Sequence, residues 1–175
     1  MSRGFSLLEV VIAMLVAAFC LLGLAAVQAR ALSFQVDTEN RRTAAALIAQ
    51  LRERVTANQQ GYGQALENVA AYSQTLAAGA AITIPTCDTP TACNPVTEVP
   101  AISMAQWFRE VQRQLPGAVA QTGAAAAGTV QAMAVTIGWL EPQANAVAAD
   151  ANCAAIAAVS DNPRYRCLRA VFFPG

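Results

Sequence analysis

One carboxylate in this sequence stands where carboxylates are rarely kept. Glu9 is the only charged side chain in the apolar run Phe5–Val27, FSLLEVVIAMLVAAFCLLGLAAV. A charged group at mid-bilayer costs about 2.5–3.5 kcal/mol on insertion scales, and less near the interface, so an acid kept in such a run implies a partner that neutralises it. The other chemistry-bearing residues are sparse. The sequence holds neither His nor Lys, which removes the commonest general base, the Ser–His and Cys–His pairs, histidine metal sites, Schiff-base lysines and the phosphate-loop lysine. Glu141, Asp150 and Asp161 are isolated acids beside turns, with no second carboxylate at calcium-loop spacing, and are read as solvated. Arg164, Arg166 and Arg169 form a small basic cluster that fits an exposed strand face better than an anion or DNA site. Basic and acidic residues balance at 11 each, so no net field draws a polyanion. These residues predict a protein that is not an enzyme, with no cofactor and no metal, and they disfavour a nucleic-acid partner.

The cysteines carry the remaining chemistry. Cys20 lies inside the apolar run, while Cys87, Cys93, Cys153 and Cys167 fall in the polar remainder. An even set of four behind a membrane-directing start reads as two disulfides in an oxidising compartment such as a periplasm. A four-thiolate zinc site fits poorly, because the intervals do not form paired Cys-x-x-Cys knuckles. Four cysteines allow three connectivities. Local pairing, Cys87 with Cys93 and Cys153 with Cys167, is preferred because short intervals are easier to close; the two long-range pairings stay open.

The element that positions Glu9 is long enough to span a bilayer, since about 23 residues at ~1.5 Å each exceed a ~30 Å hydrocarbon core. Arg3 on the short N-terminal flank favours a cytoplasmic N-terminus and export of the rest. A cleaved secretory signal fits badly: its apolar region is unbroken, and Glu9 interrupts this one. Cleavage before Cys20, as in a lipoprotein, would need a small residue where Phe19 stands.

The segment Gly4-Phe5-Ser6-Leu7-Leu8-Glu9-Val10 resembles the signal of type IV pilins and type II secretion pseudopilins. The resemblance implies cleavage after Gly4 by a prepilin peptidase, N-methylation of the new terminal Phe5, and pairing of Glu9 with the terminal amine of a neighbouring subunit. Leu21-Leu22-Gly23-Leu24 followed by Gln28-Ala29, Arg52-x-Arg54 ahead of Ala57-Asn58, and Gly61-Tyr62 are similar to PilV-type minor pilins in particular. Where the family has helix-melting glycine and proline, this chain has Ala18 and Ala26, which implies an unbroken helix and suits a low-copy subunit. The implied role is structural: with other minor and major pilins and the inner-membrane assembly platform, it would help prime or cap a type IV pilus. The alternatives are a type II secretion minor pseudopilin and an adhesive or DNA-binding tip subunit. The implied location is the inner membrane, single-pass, with the C-terminal domain in the periplasm.

The predicted fold is α+β and pilin-like, a long N-terminal helix packed on a small antiparallel sheet. Residues 1–4 form the leader, 5–27 the transmembrane half of the helix, 28–59 its amphipathic half and 60–175 the globular domain. Leu47, Leu51 and Val55 recur at helical spacing, and no proline interrupts Phe5 to Ile84, so one helix of ~80 Å is expected to end near Asn58 in a left-handed cap at Gly61. Further on, Ala80–Ile84 is a candidate strand ended by Pro85. Ser103 to Gln106 resembles a capping box that opens a helix through Trp107, Val111 and Leu115, stopped by Pro116-Gly117. Ala125–Gly128 reads as a connection. Thr129–Leu140 alternates, with Met133, Val135, Ile137 and Trp139 on one side, and is expected to pair antiparallel with Tyr165–Phe173.

Overall fold

The computed structural model describes residues 7–62, 66–87, 94, 97–127, 130–141 and 148–173. In chain order these form α1 (Leu7–Tyr62), a 3₁₀ turn (Leu66–Tyr72), β1 (Thr75–Leu76), α2 (Glu98–Gln114), β2 (Val119–Ala127), β3 (Val130–Leu140), a second 3₁₀ turn (Ala151–Ala155) and β4 (Tyr165–Phe172). The expected α+β, pilin-like arrangement is present. By contacts the chain divides into two compact units, Met1–Glu39 and Asn40–Gly175.

In the first unit the described residues are all helical. Large apolar side chains point outward all round, with Leu8 at 69%, Phe19 at 67% and Phe34 at 72% exposure. A helix apolar on every side cannot be an ordinary surface helix. It is long and apolar enough to cross a membrane. Ala18, Gly23 and Ala26 all lie within α1, which runs through them without interruption.

The second unit is built on the antiparallel sheet β1-β2-β3-β4. Met133, Val135, Ile137 and Trp139 alternate along β3 and are all fully buried, because the period of two puts them on one sheet face. Against that face lie Ala44, Leu47, Ile48, Leu51 and Val55 of α1, with Met104, Trp107, Phe108 and Val111 of α2. The Trp107 Nε1–H donates to the Leu47 carbonyl at 2.8 Å, tying the two helices together. The opposite sheet face carries a smaller core of Val119, Cys153, Ile156, Val159, Tyr165 and Cys167.

Several local expectations change. α1 runs about one turn past Asn58, to Tyr62, so Gly61 is helical and does not form the expected left-handed cap; the Asn58 side chain donates to Tyr72 Oη and Ser103 Oγ, both at 3.0 Å. Ser103 lies in the second turn of α2, whose N-cap residue is Thr97. The helix opening is closed by Glu98, whose carboxylate accepts from the Asn94 N–H at 2.8 Å. Pro100 is tolerated in that first turn because the N–H it lacks would have had no helical partner. Residues 80–84 are not a strand; side chains of α2 take up their carbonyls, with Gln112 donating to Ala80 O and Arg109 to Ile82 O. The first strand is Thr75–Leu76, paired with Gln121 and Ala120. The alanines 124–127 are part of β2, paired with 130–133 of β3. Alanine has little intrinsic preference for sheet, so this strand forms because its neighbour supplies the ladder. The Pro116-Gly117 stop holds, with Gly117 at φ +59°.

Candidate functional site

Glu9 is exposed in the first described turn of α1. With Val10, Ala13, Met14 and Ala17 it lines an open depression along one helix face, as positions i, i+1, i+4, i+5 and i+8 require. The two alanines leave room beside the carboxylate, so a positively charged group from another chain can approach it within an otherwise apolar surface. A carboxylate near a helix N-terminus is also favoured by the helix dipole. Gly4 and Phe5, the expected cleavage and methylation residues, lie outside the described residues.

Cys153 and Cys167 are bonded, with Cα atoms 5.2 Å apart, and both are buried at the centre of the smaller core. Cys87 is also disulfide-bonded, while Cys93, its expected partner, lies outside the described residues. Cys20 is free and exposed. Among the described residues no group of three or more His, Cys, Asp or Glu could hold a metal ion.

Two of the acids read as solvated, Asp150 and Glu141, have structural work. Asp150 accepts from the Asn152 N–H through Oδ1 and from the Cys167 N–H through Oδ2, at 3.0 and 3.1 Å, so one carboxylate caps the second 3₁₀ turn and fixes it to β4. An Asp immediately ahead of a turn is a capping signal that the sequence does contain; its link to Cys167 is visible only in the fold. Glu141 pairs with Arg166 at 3.0 Å, both less than a quarter exposed. That pairing divides the arginine cluster, leaving Arg164 and Arg169 exposed. At the far end of α1, burial raises the Tyr72 phenol above the ordinary tyrosine range, partly offset by the Asn58 hydrogen bond.

Residues 1–25 match the family model described as the prokaryotic N-terminal methylation motif. The chain carries a prepilin-type signal. Glu9, the acid of the apolar run, falls inside the matched segment, as do the Gly4-Phe5 junction and the first part of the exposed helix. No curated protein and no solved structure matches the chain. The prepilin motif is that of type IV pilin-like and pseudopilin proteins, and it implies processing by prepilin peptidase and association with pilins. The long apolar helix behind the signal is consistent with an inner-membrane anchor.

Proposed function

We propose that this chain is a minor pilin of the PilV type, a structural subunit that helps prime or cap type IV pilus assembly together with other minor pilins. The observation that carries the proposal is Glu9, a carboxylate exposed on an apolar helix inside a matched N-terminal methylation motif. In lipid the charge is unfavourable; in a bundle of such helices, the terminal amine of a neighbour neutralises it. Leaving the membrane for the filament is then favoured by the same residue that makes residence in the membrane costly. Peptidase cleavage after Gly4 creates that amine, and methylation of Phe5 leaves it basic. The domain from residue 60 onward would sit in the periplasm, which agrees with a buried disulfide. On this proposal the protein performs no catalysis of its own.

The test is Glu9→Ala in the full-length chain. Cleavage should proceed, with mass analysis of the N-terminus showing methylated Phe5, while recovery in sheared filaments falls at least about tenfold, the factor that about 1.4 kcal/mol of lost pairing would give. Normal recovery of the cleaved variant would overturn the role of Glu9. A type II secretion pseudopilin would share the signal, so deletion of the chain is scored for both pili and secretion. Loss of secretion with pili intact would favour that second assignment.

A further inference from the structure

The sheet order ends on β4, and the hydrogen bonding of its outer edge can be followed residue by residue. In an antiparallel ladder, successive residues turn their N–H and C=O groups to opposite sides. The Tyr165 N–H donates to Asn162 O and the Cys167 N–H to Asp150 Oδ2, both at 3.1 Å, so the odd-numbered residues of β4 face away from β3. The inner side agrees: the Leu140 N–H donates to Pro116 O, which turns the even residues of β3 toward β2. That leaves Met133, Val135 and Ile137 to bond Phe172, Ala170 and Leu168. The outer edge thus has two halves. The first is closed by Asp150 and the turn at Asn162. The second is Arg169 and Val171, whose outward backbone groups have no recorded partner among the described residues.

The side chains of this open half point to the less covered sheet face. Val171 is 48% exposed and is followed by Phe173 at 52%; among the described residues these are the exposed large apolar side chains of the second unit. Arg169 is exposed beside them, with no recorded ion pair, whereas Arg166 is neutralised by Glu141. An exposed edge with apolar side chains is a template for another strand unless it is covered.

We propose that residues 168–172 dock an extended segment of another protein as an added strand, with an acidic side chain beside Arg169 and an apolar one against Val171 and Phe173. Main-chain bonds supply the affinity of such additions and side chains the preference. Charge argues against a second copy of β4 as the occupant: in the antiparallel register that pairs the two open residues, the copy's Val171 would stand opposite Arg169, and β4 holds no Asp or Glu to offer it. An acidic strand is complementary.

The experiment is residue-resolved amide hydrogen exchange on the full chain in detergent micelles. The probes are a short peptide repeating Glu-Thr-Val-Thr, which presents glutamate and valine two residues apart on one strand face, and its counterpart with lysine for glutamate. Without peptide, Arg169 and Val171 should exchange at least about tenfold faster than Leu168 and Ala170, which are held by β3. The glutamate peptide should slow both by about tenfold or more, and the lysine peptide should not. Arg169→Glu should reverse that preference. Val171→Pro removes only an outward N–H, which an edge strand tolerates, so it should abolish the slowing while protection at Leu168 and Ala170 persists. The proposal is overturned if Arg169 and Val171 are already protected in the free monomer, or if neither peptide slows them at up to about 1 mM. Equal slowing by both peptides would overturn the acidic assignment. Protection that grows with protein concentration alone would show a second copy on the edge.

Discussion

The two tryptophans are both fully buried, yet their indole N–H groups meet different fates. Trp107 donates to Leu47 O. Trp139 packs under the Arg41 guanidinium, 6.0 Å from the ring centre, and its Nε1 has no hydrogen-bond partner among the described residues. A buried donor without a partner costs about 1–3 kcal/mol, whereas a satisfied one contributes about 1 kcal/mol. Phenylalanine removes a similar volume at both sites, so Trp107→Phe should destabilise more than Trp139→Phe by about 1 kcal/mol or more in urea denaturation. Tyr72 predicts a pH dependence. Its raised titration, caused first by burial, means that the folded state favours the neutral phenol. That contribution is fully present below the unfolded tyrosine value of about 10 and is lost as pH rises through the higher folded value. Thermal unfolding followed from about pH 9 to pH 11 should therefore show a smaller alkaline loss in Tyr72→Phe than in the parent, offset by loss of the Asn58 hydrogen bond. Asp150 and Asn58 show why these roles were hidden. Asp150 reads as a solvated acid beside a turn and Asn58 as a helix-end residue, yet each also bonds to a group many residues away.

At the scale of elements, β3 is central, with β2 and β4 on its two sides. Gly138 sits where a Cβ would lie 2.7 Å from Val119 Cγ2 and 2.9 Å from Cys167 Sγ. Neither neighbour can move freely, since Val119 is buried and Cys167 is bonded to Cys153. Gly138→Ala should cost about 1–3 kcal/mol through overpacking, measured as a lower urea midpoint with an unchanged slope. Elements with strong periodicity were legible: the α1 stripe, the Trp107–Val111–Leu115 face of α2, and the alternation of β3 and β4. β2 was not, because Ala124–Ala127 has neither alternation nor β-branching and becomes a strand only through its register with 130–133. The start of α2 was misplaced for a related reason. Ser103 has the chemistry of a cap, but its hydroxyl accepts from Asn58 of α1.

For the whole molecule, two physical regimes share one chain. In Met1–Glu39 the described apolar side chains are exposed, whereas in Asn40–Gly175 most are buried around the sheet. An exposed apolar helix of this length requires lipid or other helices around it. The unprocessed chain should therefore stay with membranes through an alkaline carbonate wash and be released by detergent. Release by the wash alone would show that the helix is not inserted. The sequence by itself determined the features that depend on local pattern and chemical type: the methylation motif with its one buried-charge problem at Glu9, the long helix, the facing residues of β3, and the cysteines able to bond. Those follow from periodicity, hydrophobicity and residue inventory, which need no partner to be read. Only the tertiary structure decided what each polar group bonds to, where α1 stops and α2 starts, that Cys153 takes Cys167, and that half of the β4 edge is left open. Such outcomes depend on which groups the fold brings within hydrogen-bond distance, and separation along the chain does not encode that distance.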